Sequence, residues 1–218
     1  MKNSIAIIIT SAILVISSCG KDSIRGSGST ETQTRTVATF NYVDGNADIK
    51  IHIAHGSTAS LELRGYKNLL NITESYVVNG KLTLKYKNEY HNVKNSNVEA
   101  YIVIPDLAGA STNGNGNMWI DGFLNGNSLD AKINGSSEIN ISNSQYDYVS
   151  LDVNGSGNFR AAGLQSKICN STIHGSGDIE IAVSDKLKAR IYGSGNIRYW
   201  GNPQVDASVS GSGNVTRQ

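Results

Sequence analysis

The sequence IHGSGDIEI, residues 173–181, places an alternating apolar and polar segment on each side of a pair of glycines. Alternation with a period of two is the pattern of a β-strand that has one buried and one solvated face. Glycines between the two segments indicate a tight corner, because glycine adopts positive φ angles that other residues avoid. These nine residues therefore predict a strand, a sharp corner and a second strand.

The same corner recurs through the second half of the chain. Its first glycine is found, at separations of 21, 20, 20, 18 and 18 residues, as Gly114, Gly135, Gly155, Gly175, Gly193 and Gly211. Apolar residues recur two positions before this glycine, from Ile133 to Val209, and four positions after it, from Met118 to Val215. One unit cannot bury its own apolar stripe, so units must stack to form a core. The repeat predicts an all-β fold, a right-handed parallel β-helix with coils of about 18–21 residues.

Asparagine recurs after the corner glycines, at Asn117, Asn158, Asn196 and Asn214. Asparagine tolerates a left-handed backbone, and its amide can form hydrogen bonds to the coil above or below. These four side chains are predicted to bridge neighbouring coils.

Residues 36–106 contain further alternating segments in a less regular order, and Pro105 ends the last of them. The sequence VDGNADIKI, residues 43–51, echoes residues 173–181 when Gly45 is aligned with Gly175. This similarity indicates that the N-terminal β portion belongs to the same stack or caps it. We therefore predict one continuous domain over residues 36–218.

The first residues are typical of a targeting segment. Lys2 precedes an apolar run of about a dozen residues, which is too short to span a bilayer. The run ends at Ser17-Ser18-Cys19, which resembles the lipobox of bacterial lipoproteins. That resemblance implies a signal peptide over residues 1–18, lipidation of Cys19 and a membrane partner reached through the lipid; an ordinary secretory signal is the alternative. Residues 19–35 are polar and without periodicity, and predict a flexible tether.

The succession of GSGN and GSGD corners resembles the head GIN domain family, whose members are putative auto-transporter adhesins and commonly exported lipoproteins of Bacteroidetes. The resemblance also rests on residues 197–203, IRYWGNP, and on residues 48–51, DIKI, and it runs from about Thr36 to the end of the chain. It implies a β-helical fold, adhesion, and a place in the cell envelope, anchored in the outer membrane and facing either the periplasm or the exterior. It supplies no catalytic residues.

Charge and motifs narrow the classes of function. Nineteen basic against eighteen acidic side chains give no basic excess of the kind that nucleic-acid binding requires. No cofactor motif is present, no histidines or cysteines have metal-ligand spacing, and Cys169 falls in an apolar column that predicts a core residue. The remaining enzyme hypothesis is a glycan-active β-helix, with Asp130 and Asp152 on adjacent coils and Lys132 beside them. Along the outward ladder, Arg160, Glu180 and Arg198 alternate in charge, which favours a non-enzymatic protein.

Aromatic residues at outward positions are the candidate ligand contacts. They are Trp119 at an outward strand position, Tyr192 at a corner and Trp200 just past a strand, together with Tyr146 and Tyr148 in a segment expected to be a loop between strands. Aromatic faces bind sugar rings and protein partners, so a glycan or a surface protein is the expected partner. The alternative is that these rings cap the stack or pack under loops.

Overall fold

The structure, a computed structural model, describes residues 23–218. Strands account for 67% of it and helix for 2%, and the strands form a β-solenoid of about five turns with a less regular N-terminal part. The predicted all-β fold and its parallel β-helix are therefore confirmed. The signal peptide over residues 1–18, Cys19 and the first residues of the tether lie outside the described residues.

Nineteen strands and one short helix make up this part of the chain. In order they are β1 (Ser23–Arg25), β2 (Thr30–Thr34), β3 (Tyr42–Asn46), β4 (Lys50–His55), β5 (Ser60–Tyr66), α1 (Lys67–Leu70), β6 (Thr73–Val78), β7 (Lys81–Tyr86), β8 (Asn92–Lys94), β9 (Glu99–Ile104), β10 (Gly109–Gly114), β11 (Met118–Asp121), β12 (Gly126–Gly135), β13 (Glu138–Ser142), β14 (Ser144–Gly155), β15 (Asn158–Gly175), β16 (Ile179–Gly193), β17 (Ile197–Trp200), β18 (Gln204–Gly211) and β19 (Val215–Arg217). No helix among residues 23–218 is long and apolar enough to cross a bilayer.

Successive coils pair in parallel and in register, so that equivalent positions of the repeat form straight columns. Ile133, Val153, Ile173 and Ile191 are paired in this way from β12 to β16, and all four are completely buried. Cys169 lies in a neighbouring inward column, and burial raises the pKa of its thiol to about 12. The inward columns read from the glycine repeat are confirmed, and Cys169 is a core residue.

The two glycines of the corner at residues 174–178 are required for different reasons. Gly175 has a φ of +136°, which disfavours any side chain, and a Cβ there would overlap the carbonyl oxygen of Gly155 one coil below. Gly177 is not among the residues with positive φ, but a Cβ there would overlap the carbonyl oxygen of Gly157. At Gly175 and Gly177 the stacked corners approach so closely that a methyl group has no room, whereas Ser137 and Ala47 are accommodated at the equivalent positions of two earlier coils.

The corner asparagines bridge coils through their side-chain oxygens. Asn158 Oδ1 accepts a hydrogen bond from the backbone N–H of Asp178 at 2.9 Å, and Asn196 Oδ1 accepts one from Asn214 at 3.2 Å. Asn117 Oδ1 likewise accepts one from Glu138 at 3.0 Å, so the predicted bridging is confirmed for three of the four side chains and is not found for Asn214 in the described structure. The expected left-handed backbone is not found at these positions, because the non-glycine residues with positive φ in the described chain are Ala47, Asn79, Asn95 and Asn143.

The N-terminal part joins the stack at a different register from the one the sequence suggested. β3 and β4 pair in parallel with β10 and β11, which places Gly45 opposite Thr112 and Ile51 opposite Met118. The corner position that is Gly114 in the next coil is occupied by Ala47, with a φ of 84°. Aligning Gly45 with the corner glycines was therefore wrong by two residues, since this corner has no glycine at its positive-φ position.

Residues 23–34 differ from the predicted flexible tether. β1 pairs in parallel with β8, and β2 pairs antiparallel with β5. In β2, exposed side chains alternate with half-buried ones, and none is fully buried. Backbone hydrogen bonds to the edge of β5, rather than burial of an apolar face, therefore hold this segment. The sequence of this segment shows no apolar alternation for that reason. Two side chains nevertheless contact the rest of the protein: Ile24 packs against the core, and Glu31 forms an ion pair with Lys67 at 2.9 Å.

Candidate functional site

Trp119 is already part of a stack of rings on the outer face. His52 lies between Tyr101 and Trp119, with ring centroids 4.8 Å and 4.7 Å away and nearly parallel planes. Burial lowers the pKa of His52, which favours the neutral ring at neutral pH. One face of the Trp119 indole is covered, so this residue fits the alternative in which the aromatic ring packs within the stack.

Tyr192 is 49% exposed and stacks on His174 at 4.7 Å. Ser210 stands opposite it on the next coil, so no second ring covers its other face. Tyr148 is exposed as expected, but it lies within β14 rather than in a loop. Tyr192 therefore keeps one free ring face, and Tyr148 stands on the outer face of its strand.

Tyr146 was predicted to be exposed in a loop, and this prediction is wrong. It lies within β14 with a relative exposure of 1%, and its hydroxyl donates a hydrogen bond to the carbonyl oxygen of Leu107 at 2.9 Å. The partner of Tyr146 on the preceding coil is Gly126, which has no side chain to exclude the ring. A missing side chain in one coil thus lets the aromatic ring of the next coil turn inward.

Trp200 lines a groove of about 560 Å³ that crosses several coils. We call it the Trp200 groove, and the lining residues that matter here are Gln145, Tyr146, Gln165, Lys167, Trp200 and Asn202. Gln145 pairs with Gln165, Gln165 with Ala182, and Ala182 with Trp200, so four successive rungs of the stack form its floor. Neighbouring rungs are about 4.8 Å apart. The groove places one indole in line with two amides.

Two polar side chains of the Trp200 groove, Gln145 and Gln165, are available to a ligand, whereas its other polar side chains have partners within the protein, namely Ser166, Lys167, Ser184 and Asn202. Among the described residues no hydrogen bond involves the side chain of Gln145 or Gln165, and both residues are exposed. An amide offers two donors and an acceptor, which suits a sugar hydroxyl that donates and accepts. Lys167 pairs with Asp147 at 2.7 Å, so the cation at the rim is neutralised. The arrangement suits an uncharged ligand with many hydroxyl groups.

Sequence reasoning missed the two glutamines because it searched for aromatic and charged groups. Each stands ten positions before its corner glycine, Gly155 or Gly175. Counting back from the corners would have placed them in one column. Their position beside Trp200 could not be found by counting, since the later coils are shorter and the register shifts between Ala161 and Gln165.

A larger groove, of about 810 Å³, lies near the N-terminal end between β3, β7 and the segment that leads to β8. Some of its polar groups already have partners within the protein. Asp44 accepts hydrogen bonds from Ser111, Asn113 and Asn46, and Lys85 contacts Glu74 and Asn88. These contacts hold the first coil together, and the described residues that line the groove include no tryptophan against which a sugar ring could pack.

Asp130, Lys132 and Asp152 are brought together as the sequence predicted. Lys132 is paired with Asp152 on the next coil, and its Nζ lies 3.4 Å from Asp130 Oδ2. Burial raises the pKa of Asp152, whereas the charge of Asp130 raises the pKa of Lys132. The three residues lie on the open face of a sheet and line neither of the two grooves. They lack the concave setting that encloses a substrate.

The outward ladder of alternating charge is present in the structure. Glu180 Oε1 lies 2.8 Å from Arg160 and 3.5 Å from Arg198, and Arg198 also contacts Asp178 at 3.2 Å. Each charge is thus offset by its neighbours along the stack, which is a stabilising arrangement of a parallel ladder.

Comparison with known proteins gives the family of this chain. A family model described as "Putative auto-transporter adhesin, head GIN domain" matches residues 39–203. No curated protein matched the sequence.

Solved structures share the fold. A putative adhesin from Bacteroides fragilis has a TM-score of 0.70 at 22% identity, covering 89% of this chain and 100% of that chain. A putative lipid binding protein from Parabacteroides distasonis has a TM-score of 0.55 at 21% identity, with 90% and 100% covered. A putative adhesin from Parabacteroides merdae has a TM-score of 0.55 at 22% identity, with 90% and 99% covered. At these identities the likeness concerns the fold alone.

Proposed function

Because this chain belongs to the head GIN domain family, we propose that it is a non-enzymatic binding module of the bacterial cell envelope whose Trp200 groove binds a neutral glycan. The observation that carries this proposal is the column in which Gln145 and Gln165 lie on neighbouring rungs and Trp200 lies two rungs beyond Gln165, with the small side chain of Ala182 between them. A sugar packs its apolar face against an indole, and amides beside the ring bind its hydroxyl groups. Adhesion is then the attachment of the module to glycans of a host or of another cell.

The straight floor of the groove favours an extended chain of sugars over a single ring. The rungs repeat about every 4.8 Å, so amides and indole lie along the axis of the solenoid. Strand pairing fixes the backbone spacing before a ligand arrives, so the entropy lost in ordering the site is that of the side chains alone. A linear polysaccharide is the ligand class that fits this geometry.

Removal of the Trp200 side chain is expected to weaken glycan binding about tenfold, which corresponds to about 1.4 kcal/mol. The measurement is a titration with neutral polysaccharides (laminarin, mannan and dextran) and acidic ones (polygalacturonate and chondroitin sulfate). We expect saturable binding to at least one neutral polymer, and a similar loss for Gln165→Ala. The matched control is Trp119→Ala, which removes the same side chain from the ring stack and should leave the affinity unchanged.

Two results would contradict the proposal: no binding to any neutral polymer, or equal affinity for Trp200→Ala and the unsubstituted protein. The glycan-active alternative predicts new reducing or unsaturated ends in the same mixtures, lost in Asp152→Asn. Turnover of that kind would replace the binding proposal with an enzyme centred on Asp130, Lys132 and Asp152.

In this proposal, lipidation of Cys19 holds the module at the outer membrane. The anchor alone does not determine whether the module faces the periplasm or the exterior. Ser23 is the first residue of β1, so four residue steps separate the lipid from the folded domain. An extended chain of that length reaches about 14 Å. The N-terminal end of the solenoid therefore stands close to the bilayer.

Cys19→Ala is expected to abolish incorporation of labelled palmitate and to release the protein from the membrane fraction. Two acyl chains give stable membrane anchoring, and alanine has no thiol to which the acyl-bearing group could be attached. The control is Cys169→Ala, which removes the buried cysteine and should leave labelling intact. Labelling that persists in Cys19→Ala would refute the anchor.

A further inference from the structure

The C-terminal end of the solenoid exposes residues that belong to its core columns. Val205, Ala207 and Val209 of β18 are paired with Leu187, Ala189 and Ile191 of β16, all of which are buried. In β18 itself all eight residues are exposed, with Val205 at 38% and Val209 at 41%. The apolar pattern of the core thus continues to the last coil without a cover among the described residues.

The N-terminal end of the same stack is built differently. β7 and β9 extend the two sheets beyond β3 and β4, β6 and β5 continue them by antiparallel pairing, and α1 packs against β5 and β2. Leu61, Leu69 and Leu84 of that end are fully buried, although Tyr76 and Val78 at its outer strand β6 are exposed. Terminal repeats of soluble solenoids normally carry a polar outer face, and exposed strand edges normally carry charge or proline. β18 has no lysine and no proline, and its one charged side chain, Asp206, is paired with Arg190 of the preceding coil at 2.6 Å.

The sequence of β18 is self-complementary, because two copies can pair in antiparallel orientation with Ala207 at the centre. In an antiparallel pair centred on that residue, Val205 faces Val209 of a second copy and Ala207 faces its own counterpart. On the outer face, Asp206 meets Ser208 of the second copy, so no like charges are opposed. Apolar pairs meet on one face and polar pairs on the other.

We infer that the free end of this solenoid is a docking surface for a second copy of the chain, joined through antiparallel pairing of the two β18 strands about a two-fold axis at Ala207. The pairing satisfies the free backbone groups of both edges and covers the exposed valines. A two-fold contact uses the same surface on both copies, so it closes at two and does not propagate into fibres.

Sedimentation equilibrium of the purified protein tests this arrangement, with two copies as the expected state. Ala207→Lys places two lysines opposite each other at the axis and should give single chains, as should Ala207→Glu. Mixing the two variants opposes lysine to glutamate and should restore pairs. The matched control is Ser208→Lys, which faces Asp206 of the other copy and should leave the pairs intact.

A single chain as the native state, a mass above two copies, pairs that survive Ala207→Lys, or failure of the mixture to reassociate would each overturn the inference. Should the lysine variant fail to fold, oxidation of Ala207→Cys in a Cys19→Ala background provides a second test. Cross-strand neighbours directly opposite each other have Cβ atoms about 4.5–5.5 Å apart, close to disulfide range. Linked dimers are expected from Ala207→Cys and not from Ser208→Cys; equal linkage in both variants would also refute the two-fold register.

Discussion

Gly175→Ala is expected to be among the most destabilising single substitutions in this protein, at about 3 kcal/mol or more. The added methyl group overlaps the carbonyl oxygen of Gly155 and also occupies a φ of +136°. The backbone cannot move away easily, because the equivalent corner of the next coil, at Gly193, stacks on it just as closely. Overpacking alone typically costs about 1–3 kcal/mol, and the backbone strain adds to it.

Substitutions at two further glycines distinguish the effect of the close approach from the effect of the positive φ. Gly177→Ala introduces the overlap without positive φ, and Gly80→Ala places a side chain at a φ of +74° with no atom nearer than 3.6 Å. Urea unfolding should rank the losses of stability as Gly175→Ala, then Gly177→Ala, then Gly80→Ala at about 1–2 kcal/mol. If Gly177→Ala is as mild as Gly80→Ala, close stacking of the corners does not constrain the fold.

Ile179→Ala should cost about 2–5 kcal/mol in free energy of unfolding, as for other large-to-small changes at fully buried sites. Ile179 is completely buried and lies in the column that contains Phe159 and Ile197 on the neighbouring coils. Neither neighbour can fill the cavity without leaving its own column, so little relaxation is expected.

Glu180→Ala is the control for the core substitution, since it changes the next residue on the opposite face. It removes the contacts to Arg160 and Arg198, and such surface ion pairs are worth up to about 1 kcal/mol each. Denaturant unfolding should therefore find the larger loss for Ile179→Ala. The reverse order would mean that the outward ladder, rather than the inward columns, holds the coils together.

Periodicity predicted the stack well wherever a coil carries both glycines and an apolar column. Phe159, Ile173 and Ile191 could be assigned to the core from the sequence because each position repeats in a neighbour of the same class. The first coil escaped this reasoning, since Ala47 adopts the positive φ that glycine adopts elsewhere. β2 escaped it as well, because backbone pairing rather than apolar burial holds that strand.

The candidate site was only partly visible in the sequence. Outward aromatics could be located by counting, but whether a ring is free depends on its neighbours across the stack. His52 covers Trp119 and Gly126 admits Tyr146 to the interior, and both relations follow from pairings between coils whose register the sequence does not specify. Trp200 is accessible from a groove because the residues opposite it on the preceding coils are Ala182 and Gln165.

The chain contains two tryptophans, Trp119 and Trp200, so two indole N–H signals are expected in its ¹H–¹⁵N spectrum. Substitution of Trp119 by phenylalanine assigns them. Titration with the neutral polysaccharide that binds most tightly should shift the Trp200 signal in a saturable manner and leave that of Trp119 in place. A shift of Trp119 instead, or of neither signal at saturation, would contradict recognition through the Trp200 groove.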